Sequence, residues 1–160
     1  MASKKNAKGP VQPAKIENRR ARFDYHILED FEAGIALVGS EVKSIFLGHA
    51  HLTDAYCQVI GGELYLLGMD VEPYDKASAF GHDRRRDRKL LMHRQQIDLL
   101  QRRAQEKGLT IVPLRVYFND RGKVKVRIGL ARGKATYDKR EQIAKDDARR
   151  EIERSRSFRD

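Results

Sequence analysis

The sequence predicts a mainly β fold with flanking helices: a small antiparallel barrel of six strands, closed or nearly so, plus a disordered C-terminal tail. Three observations predict it. Short stretches alternate apolar and polar residues with the period of a strand. A Gly-Gly pair at 61 and 62 separates two of them, and such a pair supplies the positive φ of a primed hairpin turn. Beyond about Arg132 more than half of the residues are charged, so that segment has too little apolar surface to fold alone.

Residues 1–17 are rich in Lys, Ala and Pro and are expected to form a disordered basic arm. Phe23, Tyr25 and Ile27 alternate with Asp24 and His26, which predicts a first strand; residues 35–38, after a break at Gly34, predict its neighbour. Ser40 reads as an N-cap, and Val42, Ile45 and Phe46 fall at helical spacing before Gly48, giving a short helix over 41–47. Residues 56–60 and 63–68 form the Gly-Gly hairpin. Residues 73–83 read as a loop, and Arg84, Arg85, Arg86, Arg88 and Lys89 follow within six positions. A second helix carries Ile97, Leu100 and Ala104 on one face, with Arg102, Arg103 and Lys107 at its C-terminal dipole and Gly108 as its stop. In the last hairpin Val116 and Phe118, then Val124, Val126, Ile128 and Leu130, point inward, with residues 119–122 as the connection. The barrel body is thus expected over 18–132 and the basic tail over 133–160. Within the tail, Ala144, Ala148 and Ile152 form only a thin stripe, too narrow to hold a free helix in water. Six strands, four before the second helix and two after, suit a barrel of the oligonucleotide-binding kind.

The outward face of the last hairpin carries Arg115, Tyr117, Lys123, Lys125 and Arg127. Cations with an aromatic among them fit phosphates and a base that stacks; the solvated face of a half-buried sheet explains the same alternation. The whole chain holds 33 Lys and Arg against 23 Asp and Glu, a net charge of +10, which favours an anionic polymer as partner and nucleic acid first. No amphipathic, lipidated or spanning segment supports a membrane partner. The N-terminal stretch lacks the apolar region of a secretion signal, and the single cysteine, Cys57, excludes an internal disulfide; a cytoplasmic location is expected. Gly133 and Lys134 lack the spacing and hydroxyl of a phosphate loop. His49 and His51 near Cys57 lack a second cysteine and matched distances, so no metal is expected. No nucleophile stands at a fixed spacing from a base, and neither catalysis, a cofactor nor a small-molecule substrate is expected.

Several long blocks in order, NRRARFDY at 18–25, FEAGIALVGSEVKSIFLG at 31–48, LTDAY at 52–56, RKLLMHRQQI at 88–97, and KGLTIVPLRVYF through ARGKATYDKRE, closely resemble the small protein B (SmpB) family, the tmRNA-binding (SsrA-binding) proteins of bacterial trans-translation and ribosome rescue. The resemblance covers residues 18–154. It implies a six-stranded oligonucleotide-binding-like barrel that holds the tRNA-like domain of tmRNA, and a tail that enters the empty mRNA channel of the small ribosomal subunit and folds there as a helix. It also implies travel with elongation factor Tu and GTP through the tmRNA complex, and no catalysis. By position it assigns tmRNA contacts to Glu32, Leu91 and His93, and to Asn18, Arg20 and Arg22 in the opening basic block, which on charge alone reads as a solvated run. Glu32 alone reads as a turn carboxylate, Leu91 as core and His93 as a helix cap. In the tail, Lys134, Asp138, Lys139 and Arg140 match the family's positions, with Tyr137 beside them, and are assigned to ribosomal RNA; Ile152 would give the induced helix a grip. Phe23 stands where the family commonly has histidine, and Ala135 where a second lysine often follows. A structural ribosomal protein and a ribonuclease are the readings from other classes that basicity alone permits.

Overall fold

The computed structural model describes residues 12–75 and 81–157. Its strands are β1 (Ile16–Glu17), β2 (Tyr25–Ile35), β3 (Ala50–His51), β4 (Tyr56–Ile60), β5 (Glu63–Leu67), β6 (Asp70–Val71), β7 (Arg88–Leu91), β8 (Thr110–Phe118) and β9 (Val124–Gly133). The helices are α1 (Arg19–Asp24), α2 (Gly39–Phe46), α3 (Arg94–Lys107) and α4 (Thr136–Ser157). Six strands close a ring in the order β8, β4, β5, β7, β2, β9, because β9 pairs again with β8. All these pairings are antiparallel. β1 extends the ring at β8, and β3 pairs with β6 outside it.

The six-stranded barrel holds, but two of its strands are not those expected. The first expected strand becomes the start of β2, which runs on through Gly34 to Ile35 with an irregularity between Ile27 and Glu29, and the expected strand over 35–38 does not form, since residues 36–38 lie in no strand. The missing sixth is β7, inside the arginine-rich stretch. The block before β2 is helical because Asn18 caps it: its Oδ1 accepts from Ala21 N–H at 3.1 Å. Order also begins earlier than Asn18, since Ile16 is buried against the core and pairs with Val116. Ser40 lies inside α2 and is not its cap; Glu41 reaches back to the Val38 N–H at 3.0 Å, while the Ser40 hydroxyl meets His82 Nδ1 at 2.8 Å. The Gly-Gly turn is as expected, with φ of 60° and 79°.

The core fills the barrel with Leu64, Leu66, Leu90, Val116, Val126 and Ile128, and α3 adds Ile97 and Leu100. A second apolar cluster lies outside the ring, where α1 sets Ala21 on Val112, Leu114 and Ala131. Cys57 is buried, and burial pushes its thiol up, out of reach of ionisation at neutral pH.

Between α2 and β7 lies a buried ion cluster. Glu41 and Arg88 are both inaccessible to solvent, and Arg88 Nε donates to Glu41 Oε2 at 2.6 Å. Arg86 Nε donates to both oxygens of the same carboxylate at 3.1 Å, and Arg88 Nη1 also donates to the Met69 carbonyl at 2.9 Å. Burial works to raise the Glu41 pKa, but the Arg86 bond, the Val38 N–H and the Arg88 charge outweigh it and hold the carboxyl below its ordinary value. Paired on every side, this charge is tolerated where an unpaired one would not be.

Candidate nucleic-acid interface

Strand register builds the candidate site. Across the outer face, Leu91 of β7 stands beside Gly34 of β2, which faces Lys125 of β9, which faces Tyr117 of β8. The next row sets Glu32 beside Arg127 and Arg127 beside Arg115. Four strands thus bring one exposed leucine, one carboxylate, one tyrosine and three cations together from positions up to 95 apart in the chain. Period two does this, because alternate residues of each strand leave the core on the same side.

The Tyr117 hydroxyl donates to Glu32 across the diagonal between the rows, and burial, then this bond, pushes its pKa up. It therefore stays protonated as a donor at neutral pH. The Arg115 guanidinium lies 5.3 Å from the Tyr117 ring centroid, a cation–π distance, and its Nε is buried with no hydrogen-bond partner. An acceptor-only carboxylate among cations suits a ligand that carries both phosphates and donors, as RNA does with its amino groups and 2′-hydroxyls.

The expected site residues fall into two groups. Glu32 and Leu91 share the patch, and Leu91 is 52% exposed, so the leucine is surface and not core. His93 is the exposed N-cap residue of α3, two positions beyond Leu91; its side chain makes no capping bond, which leaves the imidazole available. The other group lies at α1. Asn18 is buried, and its side chain caps α1 and donates to the Pro113 carbonyl at 2.8 Å, so it shapes the corner. Arg20 is exposed and pairs with Asp24 at 3.4 Å; Arg22 is exposed, and its carbonyl accepts from Lys134 Nζ at 3.3 Å.

The root of the tail meets that same corner. Lys139 pairs with Asp24 at 3.1 Å, and Asp138 meets His26 Nε2 at 3.3 Å. Arg140 and Ile152 are exposed, and the Tyr137 side chain lies outside the described residues. The tail forms the helix α4, where the sequence predicts no structure before binding; among its described residues none is buried. His49, His51 and Cys57 form no metal-binding group among the described residues, and His51 lies 3.6 Å from Glu72. The Tyr117–Glu32 bond escapes sequence reasoning because its partners lie on strands 85 positions apart; alternation alone places Tyr117 on the cationic face.

A closed antiparallel barrel with a basic outer face of this kind defines the class: an oligonucleotide-binding-like β-barrel protein. Within it, the chain belongs to the SmpB protein family, whose model matches residues 15–157. The SsrA-binding protein of Symbiobacterium thermophilum is 52% identical over 149 residues, covering 93% of this chain and 94% of that one. The SsrA-binding protein of Moorella thermoacetica is 54% identical over 139 residues, covering 87% and 90%. A solved chain described as "tmRNA-SmpB: a journey to the center of the bacterial ribosome" superposes with a TM-score of 0.64 at 51% identity, over 76% of this chain and 85% of that one.

Proposed function

We propose that the protein is a noncatalytic RNA adaptor of trans-translation: the barrel binds the tRNA-like domain of tmRNA, and the tail probes the empty mRNA channel of a stalled ribosome. The observation that carries this reading is the separation of a basic barrel face from a charged helical tail that, beyond its root, packs on nothing among the described residues. One is fixed on the barrel, where Glu32, Leu91, Tyr117, Lys125 and Arg127 share a face. The other is α4, a highly charged helix with seven Lys and Arg against six Asp and Glu and no buried residue among those described, which leaves its length free for a second partner. Glu32, Leu91 and His93 contact tmRNA directly in this reading, with Arg20 and Arg22 as phosphate contacts. Lys134, Tyr137, Asp138, Lys139 and Arg140 contact ribosomal RNA, and Ile152 packs the bound helix. The complex with tmRNA travels with elongation factor Tu and GTP, in the cytoplasm; no described helix is long and apolar enough to cross a membrane.

The test is truncation after Gly133. The shortened protein is expected to bind tmRNA with nearly the affinity of the full chain and to support no tagging of nascent peptides on stalled ribosomes. Tagging at the normal rate by the truncated protein would overturn the division of labour.

A further inference from the structure

The chain leaves β9 at Gly133, opposite Tyr25 of β2, and its next residue closes the end of α1. The last carbonyls of a helix find no partner within it. Lys134 takes two of those in α1: its N–H donates to the Asp24 carbonyl at 2.8 Å, and its Nζ to the Arg22 carbonyl at 3.3 Å. The first turn of α4 then returns to the same corner. Lys139 Nζ lies 3.1 Å from Asp24 Oδ1, while Arg20 Nε lies 3.4 Å from Oδ2 of the same carboxylate. Asp138 Oδ2 meets His26 Nε2 at 3.3 Å; a carboxylate only accepts, so that ring nitrogen carries the proton. Asp24 and His26 have no RNA contact of their own in the adaptor reading, yet they hold two tail side chains that do.

We propose that these contacts form an autoinhibitory latch: in the free protein Asp24 and His26 hold the first turn of α4 on the body, keep Asp138 and Lys139 from ribosomal RNA, and release them when RNA phosphates compete for Lys139. The inference rests on the adaptor reading for what the released root binds, and adds a closed state in which the root binds nothing else. Asp24 stands where a phosphate would, an anion at ion-pair distance from the ammonium. Both tail contacts are partly exposed, and each favours the closed root by roughly 1.5- to 5-fold. Together they make the closed form at most about 25 times as abundant as the open one, a ratio that RNA phosphates can reverse. A root held closed in that ratio binds its target more weakly by the same factor.

The test reads the latch first in the free full-length chain and then on the ribosome. Amide exchange at Lys139, whose N–H donates to the Ala135 carbonyl at 3.2 Å, reports the first turn of α4. Asp24→Asn and His26→Phe, neither at a buried position, are each expected to speed this exchange roughly 1.5- to 5-fold, and the double substitution by about the product. Each variant is expected to bind small ribosomal subunits with an empty mRNA channel more tightly by its own factor. His26→Phe removes no carboxylate, so its gain separates an opened latch from a mere rise in net charge. Lys139 exchange that is unchanged in both single variants would overturn the latch. Faster exchange without tighter binding, in His26→Phe above all, would overturn its inhibitory role and leave contacts that only steady the root. If neither parent nor variants bind those subunits, the adaptor reading falls, and the exchange rates alone decide whether the closed state exists.

Discussion

Neutralising Glu41 would leave two guanidinium groups, one of them fully buried, without their shared counter-charge. Breaking a buried pair in this way costs about 3–5 kcal/mol, so Glu41→Gln is expected to lower the urea midpoint sharply. The pH dependence has a definite sign. Because the folded carboxyl titrates below its ordinary value near 4.5, its stabilisation is complete above that value and is lost as pH falls through the lowered one. The stability gap between parent and Glu41→Gln should therefore narrow only in acid; a gap that stays constant down to pH ~3 would show that the Glu41 charge is not what stabilises. On the outer face, Tyr117→Phe removes the donor that fixes Glu32. It is expected to weaken tmRNA binding by roughly 5- to 10-fold, the worth of one hydrogen bond, with little change in thermal midpoint. Glu32→Gln combined with Tyr117→Phe should then cost less than the product of the single losses, which a double-mutant titration measures.

At the scale of elements, α4 is the departure that matters. Its 22 residues extend about 33 Å, and among the described residues its side-chain ties to the body are the Lys139–Asp24 ion pair and the Asp138–His26 contact at its root, each worth no more than about 1 kcal/mol at an exposed site. Those ties cannot hold the distal turns. Backbone amides beyond Arg140 are expected to exchange with solvent at nearly unprotected rates in the free protein and to become protected on the ribosome; strong protection in the free protein would mean that the helix is ordered in advance. The sequence shows plainly why α4 lacks a packing face, and it places the Gly-Gly hairpin, α3 and the last hairpin correctly. It hides β7, because this strand inverts the usual pattern: Arg88 and Leu90 face inward while Lys89 and Leu91 face out. A buried arginine is invisible to hydrophobic alternation until its acceptor, Glu41, is known to lie beside it. It hides α1 as well, since Phe23 and Tyr25 mimic strand alternation while the Asn18 cap turns the chain into a helix. For the site, the cationic face of the β8–β9 hairpin is legible from period two. The union of that face with Glu32 and Leu91 depends on the pairing of β2 with β7 and β9, a long-range fact that no local pattern carries.

For the whole molecule, closure of the barrel fixes a basic surface while the tail presents cations among nearly as many carboxylates, and a net charge of +10 gives RNA binding an electrostatic part. Affinity for RNA is expected to fall with salt by about 0.7–0.9 in log K per log unit for each phosphate neutralised; a flat response would remove the electrostatic account. Charge alone does not choose among RNAs, and the adaptor reading requires choice. The most direct measurement is a titration of the full-length protein, at physiological salt, against its own tmRNA, an elongator tRNA of similar charge and an unrelated duplex RNA. The account predicts tight binding to tmRNA with a large preference over both others. Equal, salt-sensitive binding to all three would contradict it and leave a generic basic RNA-binding barrel.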